Sequence, residues 1–242
     1  MAKKKNDKYL NNNENLPISV SIAWTEEMLL EYKRCKEDVF YFAENYFFIR
    51  VLGKGRQTIK LYEPQKEAIR KIIDNSYTIV CASRQIGKST IMTVICLWYA
   101  IFKKDFFVAV LANKEDIAKE ILERIKMAYQ ELPNWLKSGV WEFTKEHVTL
   151  TNGSKIEVST TSSDAVRGKS IDLLFLDEFA HVRKEIAEDF YKSVIPTITS
   201  SESTKLVITS TPKGVDNKYY QIYSEAEKGR NGWNGSNQWK PD

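Results

Sequence analysis

The sequence is short of the residues that staple or ligate. It has three cysteines in 242 residues. Cys35, Cys81 and Cys96 stand far apart with no CxxC pair, so no disulfide framework is in prospect, and this usage suits a reducing cytosol. It has two histidines, His147 and His181. Neither shows ligand spacing, so both are expected to be structural and no zinc site is predicted. A long hydrophobic run is missing as well. The longest nearly apolar stretch, Ile91 to Phe102, is too short to span a bilayer, and Lys103-Lys104 closes it. The start, MAKKKNDKYLNNNENLP, carries charge with no apolar segment behind it, which excludes a secretory signal. Charge of one sign is also lacking: 36 Lys and Arg against 32 Asp and Glu leave +4. That permits nucleic-acid binding without arguing for it, and a basic footprint has to be local.

What is present is enough for a core, with 43% hydrophobic and 28% charged residues. Disordered and collagen-like chains are thereby excluded. Residues 1–22, with Lys3-Lys4-Lys5 and Asn11-Asn12-Asn13, read as a flexible, solvated arm. Thr25 is placed as an N-cap with Glu26 and Glu27 in the first turn. Met28, Tyr32, Cys35, Val39, Phe42 and Tyr46 then recur at helical spacing, which predicts one helix to about Phe48. Pro64 fits the first turn of a helix carrying Ala68, Ile69, Ile72 and Ile73. Apolar runs at Tyr77–Cys81, Phe106–Leu111, Ile171–Leu176 and Lys205–Thr209 read as strands separated by helices. Asn152-Gly153 marks a hairpin between His147–Leu150 and Lys155–Ser159. Continuous apolar strands alternating with helices predict an α/β fold, a mostly parallel central sheet flanked by helices on both faces.

Ala82-Ser83-Arg84-Gln85-Ile86-Gly87-Lys88-Ser89-Thr90 lies between a predicted strand and a predicted helix. That is the setting of a phosphate-binding loop, in which backbone N–H groups and a helix N-terminus face anionic oxygens. Gly87 allows close backbone approach, Lys88 pairs with the β- and γ-phosphates, and the Ser89 hydroxyl holds Mg²⁺. The first position of the GxxxxGK[ST] pattern is Ala82, so the match is imperfect. Downstream, the strand Leu173-Leu174-Phe175-Leu176 ends in Asp177-Glu178. Carboxyl ends of parallel strands line the ligand crevice, which predicts Asp177 on Mg²⁺ and Glu178 orienting and deprotonating an attacking water. A module that only binds nucleotide has no need of Glu178. In Tyr62-Glu63-Pro64-Gln65, the Gln65 amide can match adenine and Tyr62 can stack. Arg167, beside Gly168, and Arg84 are the two candidates for an arginine finger. Thr209-Ser210-Thr211 ends the next strand, where hydroxyls can sense a γ-phosphate or its water.

SRQIGKST, LLFLDE and ITSTPKG in this order, with YEPQ upstream and VRGK before the acidic strand, resemble the N-terminal ATPase domain of the large terminase subunit of tailed bacteriophages. The resemblance covers about residues 25–230. It implies a P-loop NTPase of the ASCE type over residues 23–228, with a small N-/C-terminal helical subdomain. Residues 229–242 would be a linker toward a C-terminal nuclease domain outside the chain, so no nuclease activity is expected here. It implies ATP and Mg²⁺ as cofactors and an ATP-driven motor that moves double-stranded viral DNA into a procapsid. The partners implied are the portal protein, a small terminase subunit and further copies in a ring, in the host cytoplasm and with no membrane. By the same resemblance Gln65 lies near adenine, residues 83–90 hold phosphate, and Thr209, Ser210 and Thr211 couple hydrolysis to movement. A helicase-like ATPase and a non-hydrolysing nucleotide-binding module are the alternatives.

Overall fold

The computed structural model describes residues 22–51, 53, 55–83, 86–198 and 203–239. The arm expected over residues 1–22 falls, Ile22 apart, outside them. Helix α1 (Glu26–Glu37) begins where Thr25 predicts: its hydroxyl accepts the Met28 N–H at 3.2 Å. The expected single helix to Phe48 divides at Asp38. The Asp38 carboxylate accepts the N–H groups of Phe40 at 2.8 Å and Tyr41 at 3.1 Å, and so starts a second helix, α2 (Val39–Tyr46). A short acid that bonds nearby backbone competes with the helical ladder, so an unbroken apolar stripe hides the break. The antiparallel ribbon β1 (Phe48–Val51) and β2 (Gly55–Thr58) follows. Then comes α3 (Glu63–Asp74), with Pro64 in its first turn.

The main sheet is built from β3 (Tyr77–Ala82), β4 (Phe107–Ala112), β5 (Val140–Phe143), β6 (His147–Leu150), β7 (Lys155–Thr160), β8 (Leu173–Asp177), β9 (Lys205–Ser210) and β10 (Asn234–Trp239). Among the described residues it has eight strands in the order β10-β3-β9-β8-β4-β7-β6-β5. The six from β10 to β7 are parallel to one another. The β6–β7 hairpin at Asn152-Gly153 is antiparallel, as is β5–β6. Within the stretch expected as a linker, β10 forms an edge strand beyond the expected boundary at residue 228. β10 satisfies the open backbone edge of β3, and Trp233 packs on Tyr77 at 5.6 Å between ring centroids. The Gly- and Asn-rich composition there has low strand propensity and hides it.

Successive strand residues enter opposite cores. Val80, Val108, Val110, Leu173, Phe175 and Val207 face α4 (Lys88–Phe102) and α5 (Glu115–Glu131). Ile79, Ala109, Leu111, Leu174, Leu176, Leu206 and Ile208 face α6 (Lys184–Ser193) and α8 (Lys218–Glu227). A single turn, α7 (Ile195–Ile198), follows α6. Helix α4 is apolar nearly all round because it is buried between the sheet and the N-terminal helices. Phe42 of α2 meets Phe102 of α4 at 5.6 Å. α1 and α2 therefore share this core. Among the described residues no helix is long and apolar enough to cross a membrane.

Candidate active site

Three strand ends converge in one crevice because β9 lies between β3 and β8. β3 runs through residues 83–87 into α4, whose first residues are Lys88 and Ser89. A helix N-terminus placed straight after a strand offers unpaired N–H groups and the positive end of its dipole to an anion. Gly87 makes the turn with φ +86°, and a Cβ there would stand 2.5 Å from Gln65 Nε2. The left-handed backbone and the close approach each call for glycine. Gln65 is buried. Its Oε1 accepts the Tyr62 N–H at 3.0 Å, and its Nε2 donates to the Ile86 carbonyl at 2.9 Å. It therefore braces the loop against α3. Arg84 and Gln85 lie outside the described residues.

Lys88 turns back across the strand ends. Its Nζ donates to the Ser83 carbonyl at 3.3 Å and lies 3.3 Å from Glu178 Oε1. Asp177, the last residue of β8, is 4% exposed, and its Oδ1 accepts the Thr209 hydroxyl at 3.0 Å. Burial pushes its carboxyl above the ordinary value. The Thr209 hydrogen bond and Lys88 oppose the rise, while the neighbouring Glu178 charge adds to it. Glu178 takes a left-handed backbone, φ +50°, a conformation sparse for a non-glycine residue and common at functional sites. Its Oε2 accepts the Thr211 N–H and the Thr211 hydroxyl, each at 2.9 Å, and the Ser210 hydroxyl, 3.2 Å away, divides its one proton between this oxygen and the Thr211 carbonyl at 2.9 Å. Burial works to raise this carboxyl too. The Thr211 N–H, the Lys88 ammonium and the Thr211 hydroxyl outweigh it and hold the group below its ordinary value. Two adjacent acids are thus displaced in opposite directions, the arrangement that separates their chemical roles.

The structure therefore gathers Gln65, Ser83, Ile86, Gly87, Lys88, Ser89, Asp177, Glu178, Thr209, Ser210 and Thr211. Tyr62 is exposed at the mouth of a groove of about 610 Å³, which Phe48, Ile49, Arg56, Gln65 and Thr90 also line. The volume suits a small-molecule ligand. The β1–β2 wall of this groove is absent from the sequence reading, because those two short strands have no alternating pattern. Arg167 is not brought to the site. It is exposed and pairs with exposed Asp164 at 3.3 Å, in the loop after β7. At about 4.8 Å per strand, β7 lies about 10 Å from β8 and about 19 Å from β3. His181, expected as structural, stands against Thr211. Its signal in the sequence is the three-residue spacing from Glu178, which one tight turn brings onto the same side.

A strand, glycine turn and lysine-bearing helix, with acids on the second strand over, define a P-loop nucleotide-binding α/β protein. More particularly, residues 79–241 match the family model described as "Terminase large subunit, T4likevirus-type, N-terminal", more than half of the chain, and the chain belongs to that family. Among solved structures it is similar to the large terminase of bacteriophage HK97, with a TM-score of 0.68 and 18% identity, over 81% of this chain and 42% of that one. The large terminase ATPase domain of Thermus phage P74-26 matches with a TM-score of 0.58 and 21% identity, over 68% of this chain and 69% of that one. The large terminase of another thermophilic bacteriophage, in complex with ADP, matches with a TM-score of 0.58 and 15% identity, over 73% of this chain and 45% of that one. At these identities the likeness shows the fold. The chain spans about two fifths of the HK97 protein's length. A curated protein described as a trehalose-phosphatase, from Brugia malayi, is 26% identical over 140 residues, which are 56% of this chain and 26% of that protein. So short a match carries no function across.

Proposed function

We propose that this chain is the ATP-hydrolysing motor part of a viral terminase, and that it drives double-stranded DNA into a procapsid. The observation that carries the reading is the 3.3 Å approach of Lys88 to Glu178, which joins the phosphate loop to a carboxylate held for hydrolysis. The ADP-bound relative supports a nucleotide as the ligand. The donors present suit Mg²⁺. Among the described residues no group of three or more His, Cys, Asp or Glu gathers round a metal point, but a magnesium ion shared with phosphate needs only one or two protein ligands. Asp177 and the Ser89 hydroxyl would supply them, and the ion would neutralise charge on the phosphates.

Lys88 exchanges Glu178 for the β- and γ-phosphates of ATP when nucleotide enters. That removes one of the influences that depress the Glu178 carboxyl, so the carboxylate becomes a better base as substrate arrives. Its Oε1 is freed to orient and deprotonate water, while its Oε2 stays fixed by Thr211 and Ser210. Tyr62 meets the base, Gln65 holds the phosphate loop against α3 beside it, and Thr209, Ser210 and Thr211 relay the state of the two acids to β9. Arg167 pairs with Asp164 in the exposed loop after β7, and in this reading it is the finger on a neighbouring copy in a ring. Arg84 is the alternative finger, within its own loop. DNA, the portal protein and a small terminase subunit are the partners of this reading, in the host cytoplasm at the procapsid portal.

Glu178→Gln tests it. The amide keeps the shape and removes the base, so Mg-ATP binding persists while kcat falls on the order of 10²-fold or more. Collapse of ATP affinity instead would make Glu178 a ligand or a fold residue. Strand separation of a duplex, with no translocation along it, would favour a helicase.

A further inference from the structure

His181 ends the single turn Phe179–His181 that follows Glu178. The left-handed backbone of Glu178 turns the chain back on itself. The ring Nε2 comes to lie 2.9 Å from Thr211 Oγ1 and 3.7 Å from Glu178 Oε2. Counting protons fixes the direction of these bonds. An ionised carboxylate only accepts, so the Thr211 hydroxyl, 2.9 Å from Oε2, gives its one proton to Glu178. Its remaining capacity is as an acceptor. His181 Nε2 must therefore carry a hydrogen and donate it to Thr211.

We infer that His181 is a positioning residue for Glu178, acting through the chain His181 Nε2–H to Thr211 O–H to Glu178 Oε2. The inference rests on the proposed role of Glu178 in hydrolysis. A donor on the far side of a hydroxyl polarises it toward its own acceptor, so His181 strengthens the bond that fixes Oε2. With Oε2 held, the carboxylate cannot rotate, and Oε1 is the oxygen left for Lys88 and then for water. A second tie runs beside the first: the Ala180 N–H donates to Ser210 Oγ at 3.1 Å. The turn Phe179–His181 and the end of β9 are joined at these two points, and both hydroxyls, Ser210 and Thr211, face Glu178 Oε2, with Thr211 the nearer at 2.9 Å.

The test compares the wild type with His181→Ala, His181→Gln, Thr211→Val and the double variant His181→Ala with Thr211→Val. The measurements are kcat and KM for ATP, and the affinity for a fluorescent ATP analogue. Glutamine can place an amide N–H near the position of the ring Nε2–H. His181→Ala should lower kcat by about ten-fold, the upper end of what one neutral hydrogen bond is worth. KM and analogue affinity should stay within about two-fold, because the contact orients a carboxylate and does not hold nucleotide. His181→Gln should recover most of the rate. The double variant should be no slower than Thr211→Val alone, because a relay already cut at Thr211 has nothing further to lose. If His181→Ala fails to fold, the glutamine and valine variants still decide the matter. Full rate in His181→Ala, no recovery with glutamine in a folded protein, or losses that multiply in the double variant overturn the inference and leave the role of Glu178 intact. A wild-type protein that binds ATP but never hydrolyses it overturns the role of Glu178, and His181's with it.

Discussion

Gly87→Ala probes the phosphate loop where the structure constrains it most. The residue sits at φ +86°, and the added Cβ would meet Gln65 Nε2 at 2.5 Å. A left-handed backbone costs alanine about 1–2 kcal/mol. Displacing the end of a flexible glutamine is usually cheap, but this one is buried and held at both ends, by the Tyr62 N–H and the Ile86 carbonyl. Losing those two bonds costs about 1 kcal/mol each. The native loop is then disfavoured by roughly 3–4 kcal/mol. If nucleotide binds only the native loop, its affinity falls by about 150-fold to 10³-fold. Titration of a fluorescent ATP analogue measures this, with melting temperature recorded alongside. A second variant separates the two causes. In Gly87→Ala with Gln65→Ala the clash is gone and only the backbone cost separates the protein from Gln65→Ala, so its affinity should lie about 5-fold to 30-fold below that of Gln65→Ala alone. Analogue binding by Gly87→Ala within a few-fold of wild type would refute the reasoning. So would a double variant weaker than Gln65→Ala alone by the full factor that Gly87→Ala loses against wild type.

Asp177 is raised above its ordinary value, chiefly by burial. The folded chain therefore holds its proton more tightly than the unfolded chain, and the ionised form destabilises the fold fully above the folded pKa and not at all below the unfolded one. Asp177→Asn can still accept from Thr209 and removes the buried charge. Its melting temperature should exceed that of wild type near pH ~7, the gap should close toward pH ~4, and turnover should be lost. A lower melting temperature at neutral pH refutes this. Arg167→Ala should leave the melting temperature within about 3 °C, because an exposed ion pair is worth at most about 1 kcal/mol. Its turnover when dilute should match wild type, and the rise in specific activity that wild type gains on assembly should be absent. A large loss in the dilute protein would place Arg167 in its own site.

The parts of the site that were legible in the sequence are those whose chemistry is local. A phosphate loop is a few consecutive residues between a strand and a helix, and both flanking elements announce themselves by apolar runs. The acids at Asp177 and Glu178 stand at the end of a fully apolar strand, and such strands are parallel and covered on both faces. The end of α4 at Phe102 was legible too, where Lys103-Lys104 closes the apolar run. The Asp38 break was not, because the stripe through Cys35, Val39 and Phe42 continues across it and stays buried. β10 was hidden by composition: its place comes from the open edge of β3, which no property of residues 234–239 reports.

Gln65 and His181 show where such reading ends and why. A glutamine three residues after Tyr62 is visible in the sequence. Whether its amide faces solvent, a base or the Ile86 carbonyl depends on how close α3 comes to the loop, and that distance is set by the packing of Ala68, Ile69 and Ile72 under the sheet. The histidine shows no ligand spacing because its partner is a hydroxyl 30 residues away. Only the insertion of β9 beside β8 makes the two neighbours. The strand order decides more than adjacency, since it fixes which side chains can share a proton. With β9 between β3 and β8, every polar group at its end lies within reach of both the phosphate loop and the acids. The run Thr209-Ser210-Thr211 therefore meets Asp177 and Glu178 separately, the first hydroxyl on one acid and the other two on its neighbour. A strand placed anywhere else in the sheet would take the Thr211 N–H and the Thr211 hydroxyl away from Glu178, and Oε2 would lose the two donors that fix it.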